Sequence, residues 1–149
     1  MKKSSKSREE TEQITKVFIE KILKNSSKRD GALVVGLSGD LGVGKTAFTQ
    51  FAAKYLGIKE KVNSPTFVIL KRYKIKKSPS DHKQMFHIDA YRLKSEKDLL
   101  NLKWVDLINN KENLIFIEWP ENVIKVMPKN AFFIYLSHGK NNTRILELK

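Results

Sequence analysis

The residues with the clearest potential for chemistry form a glycine-rich stretch that ends in lysine and threonine. Gly39-Asp40-Leu41-Gly42-Val43-Gly44-Lys45-Thr46 has the spacing G-x-x-x-x-G-K-T. In this pattern the glycines let backbone N–H groups approach phosphate oxygens, the lysine reaches the β- and γ-phosphates, and the threonine hydroxyl faces Mg²⁺. The stretch therefore predicts a binding site for a nucleoside triphosphate and Mg²⁺.

The alternative is a glycine-rich turn that matches this spacing by chance. Against it, the apolar run over 33–37 has the length of a buried strand, and the residues after Thr46 have helical periodicity. A phosphate-binding loop needs this order, because its amides converge at the start of the following helix. We therefore favour the phosphate-binding interpretation.

Two acidic residues stand where a carboxylate near the metal is expected. Nucleotide hydrolysis needs such a group, usually at the end of a strand beside the strand that leads into the loop. Asp89 follows the segment 85–88, and Glu118 follows the apolar segment 114–117. We expect one acid to approach the metal shell and the other to orient water, without deciding which touches the metal. Each has a simpler alternative, a helix cap or a solvated strand end.

Three other residues near these segments have two interpretations each. Thr66 is either a switch threonine that closes over the γ-phosphate and Mg²⁺ or an ordinary turn residue. Trp119 is either a packing residue or part of a lid or partner contact. His87 resembles a catalytic base, but we expect a hydrogen-bonded structural histidine, because phosphoryl transfer to water depends chiefly on positioning and charge stabilisation.

Periodic apolar residues predict the elements that hold these groups. Helices are expected over about 8–24, from the glycine-rich loop to Leu56, and from Ser95 to Ile108, with Val17 and Leu100 on their apolar faces. Strands are expected over 32–37, 66–73, 84–88, 114–117, 131–136 and 143–148, and a lysine-rich hairpin turn over 74–83. This order predicts one α/β domain, residues 1–149, with the three layers of a P-loop NTPase and a mixed, mainly parallel central sheet.

The amino-acid composition excludes several kinds of site and limits the possible partners. The 149 residues include no cysteine, which excludes disulfides and thiolate metal sites. The N-terminus lacks an apolar leader and no run of about 18 apolar residues occurs, so we expect a cytoplasmic protein without a membrane partner. The net charge of +13 is nearly all lysine, with five arginines. It indicates either solvated lysine-rich faces or an electropositive docking surface.

Four segments together resemble the TsaE (YjeE) ATPases, which act with TsaB and TsaD in making the threonylcarbamoyl modification of adenosine beside the tRNA anticodon. The glycine-rich loop resembles the phosphate loop of that family. The other three segments are Ser64-Pro65-Thr66-Phe67 with Tyr73, His87-Ile88-Asp89-Ala90-Tyr91-Arg92-Leu93, and Ile117-Glu118-Trp119-Pro120-Glu121. They occur in the family's order. Departures are Lys103 where the family often has glycine, Ala90 in place of leucine, and an unusually basic loop over 74–83.

The resemblance implies a slow, Mg-dependent ATPase that acts on a TsaD–TsaB complex. It implies that Thr46 and Glu118 attend Mg²⁺, and that hydrolysis needs Asp89 and Thr66 together with Lys45. It also implies that Trp119 lies near the nucleotide or the partner, and that Thr11 and the turn before Arg144 lie toward the adenine. The expected ATP-binding residues are Thr11, Gly39, Asp40, Leu41, Gly42, Val43, Gly44, Lys45, Thr46, Ala47 and Trp119.

Two rival functions remain at this point. A small-molecule kinase would use the same loop but needs an acceptor pocket and usually an arginine-bearing lid that excludes water. A nucleic-acid-binding module would bind tRNA on its own with a steep salt dependence. A weaker form of the nucleic-acid hypothesis, in which lysines help tRNA approach the assembled complex, is compatible with the ATPase.

Overall fold

A mixed sheet with helices on both faces carries the predicted site residues. The computed structural model describes residues 1–65, 67–76 and 79–149. In those residues the strands are β1 (Lys2–Ser5), β2 (Leu33–Ser38), β3 (Leu70–Lys74), β4 (Gln84–Asp89), β5 (Asn113–Glu118), β6 (Phe132–His138) and β7 (Arg144–Leu148). The helices are α1 (Arg8–Asn25), α2 (Lys45–Tyr55), α3 (Glu96–Leu100) and α4 (Trp104–Ile108), and a 3₁₀ helix spans Pro120–Val126.

The seven strands are ordered β1-β7-β6-β2-β5-β4-β3. Strands β6, β2, β5 and β4 are parallel to one another, whereas β1, β7 and β3 pair antiparallel with their neighbours. The predicted mixed sheet is confirmed. The prediction that it is mainly parallel is correct for its centre only, because three of the six described strand pairings are antiparallel.

Apolar side chains cover both faces of the sheet, so the predicted three-layer arrangement is confirmed. Because side chains alternate along a strand, β2 and β5 contribute to both faces. Helices α1 and α2 pack on one face, around Phe18, Leu33, Val35, Phe48 and Phe116. Helices α3 and α4 and the 3₁₀ helix cover the other, around Val34, Trp104, Ile115 and Val123.

The first helix begins as its sequence predicts. The Ser7 hydroxyl accepts a hydrogen bond from the Glu10 backbone N–H at 3.1 Å, which satisfies one of the free donors of the first turn. Along α1, Phe18 and Ile22 are buried, but Val17 is 43% exposed, so its predicted place on the apolar face is wrong. No described helix has the length and apolar character needed to cross a membrane.

Three elements of the structure differ from the prediction. The four-residue edge strand β1 was not predicted, because its polar sequence has no apolar alternation. The strand expected over 66–73 begins at Leu70, after a turn in which Phe67 is 87% exposed. The single helix expected over 95–108 is divided into α3 and α4, because Lys103 has a left-handed φ of 58°, which a helix does not contain. Leu100 is therefore exposed rather than part of an apolar face.

Candidate functional site

The glycine-rich loop joins β2 to α2 at the carboxyl edge of the parallel strands. Gly39 and Gly44 have φ values of 151° and 116°, which favour glycine. A Cβ on Gly39 would lie 2.4 Å from the Leu136 carbonyl oxygen, so no side chain fits there. The loop therefore has the glycine-dependent backbone that a phosphate-binding loop needs, ahead of the N-terminus of α2.

Lys45 is turned back onto this loop. Its side chain is buried, and its Nζ donates hydrogen bonds to the backbone carbonyls of Gly39 and Asp40, the second at 2.8 Å. The ammonium group also lies 4.2 Å from the centre of the Trp119 ring, which is a cation–π distance. These contacts hold the lysine charge beside the loop amides.

Four acids act on the charge of Lys45. Burial lowers the pKa of Lys45 below its usual value, and the negative charges of Glu118, Glu121, Asp89 and Asp40 oppose that shift, in this order. Since burial is the larger effect, the protein stabilises the ammonium ion only in part. An anionic phosphate beside Lys45 would complete that stabilisation.

Thr46 and Glu118 meet directly. The Thr46 hydroxyl donates a hydrogen bond to Glu118 Oε1 at 2.8 Å, and the Glu118 side chain is 4% exposed. Mg²⁺ prefers such oxygen ligands and keeps several waters. The described residues contain no cluster of three or more metal-ligating side chains. The pair therefore fits Mg²⁺ whose remaining ligands are phosphate oxygens and water.

Asp89 lies at the same sheet edge as Glu118. The two residues are register partners on β4 and β5, and Asp89 is 6% exposed. Its Oδ1 accepts a hydrogen bond from the Tyr91 backbone N–H at 2.9 Å, the local turn contact that the simpler interpretation allows. Burial argues against a solvated strand end for either acid. Lys45, Thr46, Asp89 and Glu118 are thus brought together, as the sequence predicted.

The expectation for His87 is half wrong. His87 is completely buried, but neither ring nitrogen has a hydrogen-bond partner among the described residues. Its Nε2 lies 3.5 Å from Glu118 Oε1. His87 on β4 pairs in register with Phe116 on β5. Because side chains alternate between the faces of a sheet, Phe116 and Glu118 lie on the same face, and His87 lies on that face with them.

The remaining predicted residues occupy different positions. Trp119 has a left-handed φ of 59°, and its ring centre is 5.0 Å from that of Tyr91. Thr11 is 2% exposed, and its hydroxyl bonds to Ser5 Oγ at 2.7 Å, so its contact with adenine stays a prediction. In the loop, Asp40, Leu41 and Gly42 are exposed, Val43 is buried and Ala47 is half-buried. Thr66 lies outside the described residues.

The family resemblance placed the turn before Arg144 toward the adenine, but the sequence assigned no role to Arg144 itself or to Glu121. The Arg144 Nη1 atom lies 3.8 Å from where a Cβ on Gly44 would be, so its guanidinium group is beside the loop. No local pattern marks it, because the sheet brings β7 to this position. The negative charge of Glu121 raises the pKa of Lys45. The one feature of the sequence that could have indicated this role is its position just after Trp119 and Pro120.

A large cavity lies elsewhere. It has a volume of about 1140 Å³ and is lined by Lys24, Arg29, Gly31, Lys83 and Lys111 among others. Several of these residues precede the parallel strands, at the edge opposite the loop. Cavity size alone therefore does not identify the site, whereas the convergence of Lys45, its acids and the loop does.

Comparisons with known proteins identify the family of this chain. A family model described as threonylcarbamoyl adenosine biosynthesis protein TsaE matches residues 5–146. The tRNA threonylcarbamoyladenosine biosynthesis protein TsaE of Rickettsia bellii is 36% identical over 143 residues, which cover 95% of this chain and 90% of that protein. The same-named protein of Rickettsia conorii is 32% identical over 143 residues, covering 95% of this chain and 74% of that protein.

A solved structure has a similar fold. The crystal structure of Bacillus subtilis YdiB matches with a TM-score of 0.69 and 25% sequence identity, and the match covers 98% of this chain and 82% of that one. The family model spans nearly the whole sequence. The chain therefore belongs to the TsaE family of threonylcarbamoyl adenosine biosynthesis proteins.

Proposed function

We propose that this chain, as one P-loop NTPase-like domain, binds ATP with residues 39–47 and hydrolyses it slowly in a Mg²⁺-dependent reaction. The observation that carries the proposal is the hydrogen bond between Thr46 and Glu118. It joins the start of α2, where the β- and γ-phosphates of a loop-bound nucleotide belong, to the end of the strand beside β2. A glycine-rich turn with no ligand has no need of a buried carboxylate at this position.

Each residue has a defined part in this proposal. Lys45 contacts the β- and γ-phosphates, and Thr46 and Glu118 hold Mg²⁺ and its waters. Bound Mg²⁺ would neutralise charge on the phosphate oxygens. Asp89 orients the attacking water, because it is the other buried carboxylate at this sheet edge. The family resemblance implies that hydrolysis needs Thr66, and we assign it the switch role over the γ-phosphate and Mg²⁺.

The proposed pathway role follows the family. TsaE proteins function in tRNA threonylcarbamoyladenosine biosynthesis, and we infer that this chain resets a TsaD–TsaB complex between rounds of modification. Support for a partner near the nucleotide comes from exposed apolar side chains. Leu41 lies in the loop, the Tyr91 ring contacts Trp119 beside Lys45, and Phe67 contacts Arg92, the neighbour of Tyr91. Exposed apolar residues grouped at one site favour protein contacts. We further propose that lysine side chains help tRNA approach the assembled complex.

The test combines nucleotide hydrolysis with tRNA modification. Purified protein is assayed with TsaD and TsaB for phosphate release and for multiple-turnover modification, as the native chain and as Lys45→Ala. Lys54→Ala is the matched control, because Lys54 lies on the same helix but is exposed and pairs with Glu12. We expect Lys45→Ala to abolish both activities and Lys54→Ala to retain them.

Three results would contradict the proposal. Equal multiple-turnover modification by native protein and Lys45→Ala would remove the need for the loop. Phosphate transfer to a small acceptor, without release to water, would favour the kinase instead. Binding of tRNA by the isolated chain with a steep salt dependence, together with no nucleotide binding, would favour the nucleic-acid module.

A further inference from the structure

We propose that His87 is a positioning residue that holds the Glu118 carboxylate in place for the Mg²⁺ site. This inference rests on the proposed function, because it assigns His87 a task in that same site. The geometry behind it is a short chain of side chains, in which His87 Nε2 lies 3.5 Å from Glu118 Oε1 and the same oxygen accepts the Thr46 hydrogen bond.

The burial of His87 is the first argument. The side chain is 0% exposed, and both ring nitrogens lack a hydrogen-bond partner among the described residues. Buried polar atoms are normally satisfied, and an apolar side chain of similar volume would fill this space without leaving two nitrogens unpaired. An imidazole here therefore needs a function besides filling the core.

The shared oxygen is the second argument. Glu118 is buried at the end of β5, and its Oε1 lies 2.8 Å from the Thr46 hydroxyl and 3.5 Å from His87 Nε2. An N–H at Nε2 donates toward Oε1 after a small rotation of either side chain. Two donors on one oxygen would restrict rotation of the carboxylate and leave Oε2 free to bind Mg²⁺ or one of its waters.

Partners of this kind matter for metal affinity. Groups that orient a metal-binding carboxylate typically change metal affinity by about 10–100-fold when they are removed. Asp89 lies at the end of β4, beside the proposed metal site, whereas His87 lies two residues earlier in the same strand. We therefore assign His87 no contact with nucleotide or metal, and its effect passes through Glu118.

Three substitutions separate positioning from packing. His87→Met fills the site without a donor. His87→Gln places an amide nitrogen where Nε2 was, and His87→Asn places it where Nδ1 was. Met85→Leu is the matched control, because Met85 is a buried residue of β4 on the same face, two positions farther from Glu118.

The experiment measures Mg²⁺ dependence rather than hydrolysis alone. The unfolding temperature is recorded with saturating ADP as Mg²⁺ is titrated, and ADP affinity is measured separately in excess EDTA. We expect His87→Met and His87→Asn to raise the half-saturating Mg²⁺ concentration about tenfold or more, with ADP affinity in EDTA unchanged. His87→Gln should stay within about threefold of the native value, and Met85→Leu should match it.

The outcomes distinguish the two proposals. If native protein gains stability with Mg-ADP but His87→Met has the native Mg²⁺ midpoint, the positioning role is wrong and the proposed site stands. Equal losses in His87→Gln and His87→Met also refute it, because the donor then does not matter. If His87→Met fails to fold, the comparison of His87→Gln with His87→Asn decides. If native protein shows no Mg²⁺-dependent nucleotide binding, both proposals fail.

Discussion

Removing the Thr46 hydroxyl gives the sharpest test of the candidate site. Thr46→Val keeps the shape of the side chain but takes away the donor that lies 2.8 Å from Glu118 Oε1. A hydrogen bond to a charged group contributes about 1.5–3 kcal/mol. Because Thr46 is only half-buried, water replaces part of the lost contact, and we expect a loss of about 1–2 kcal/mol in the free energy of unfolding.

Urea unfolding without nucleotide measures this loss directly, and Thr46→Ser is the conservative variant that keeps the hydroxyl. With Mg-ATP at about 100 times its dissociation constant, native protein should gain about 2.7 kcal/mol of stability. Thr46→Val should lose most of that gain, whereas Thr49→Val, on the same helix but outside the site, should keep it. The reasoning is refuted if Thr46→Val equals Thr46→Ser in stability and in its Mg²⁺-dependent gain.

Three further predictions concern residues around the fold. Lys103→Gly should raise the free energy of unfolding by about 0.5–1 kcal/mol. Glycine removes the strain of a side chain at a left-handed φ, and this gain exceeds the cost of the extra entropy of glycine in the unfolded state. A lower unfolding temperature would contradict this. Burial lowers the pKa of His82 below 6.5, so the folded state binds fewer protons than the unfolded state. Stability should therefore fall as pH drops below 6.5, and urea titrations of His82→Gln should show a weaker fall. Arg144→Ala should weaken ATP binding about tenfold by calorimetry, because its guanidinium group lies beside Gly44; unchanged affinity would exclude a phosphate contact.

The loop and its acids could be predicted because local chemistry determines them. Only glycine tolerates the backbone at Gly39 and Gly44, so the spacing of the glycines reports the loop conformation. Parallel strands end at one edge of a sheet, so Asp89 and Glu118, each at the end of an apolar strand, were expected to lie together. The register pairing of these two acids on β4 and β5 confirms that expectation.

Features that depend on tertiary contacts were missed. Nothing in the local sequence shows that Lys103 has a positive φ, since lysine is normally a good helix former. The approach of Arg144 to Gly44 depends on the pairing of β7 with β6 and β1. The unpaired ring of His87 depends on which side chains face it across the sheet. Periodicity identifies buried positions but not the partners of a buried polar group.

The two outermost strands of the sheet both carry several cations. Strand β1 has Lys2 and Lys3, and strand β3 has Lys71, Arg72 and Lys74. An open strand edge is a template on which another copy can add a strand, and lysine at the edge opposes this by like-charge repulsion. Much of the positive charge in these strands therefore protects the molecule against edge-to-edge aggregation, and that part of the lysine excess needs no nucleic acid to explain it.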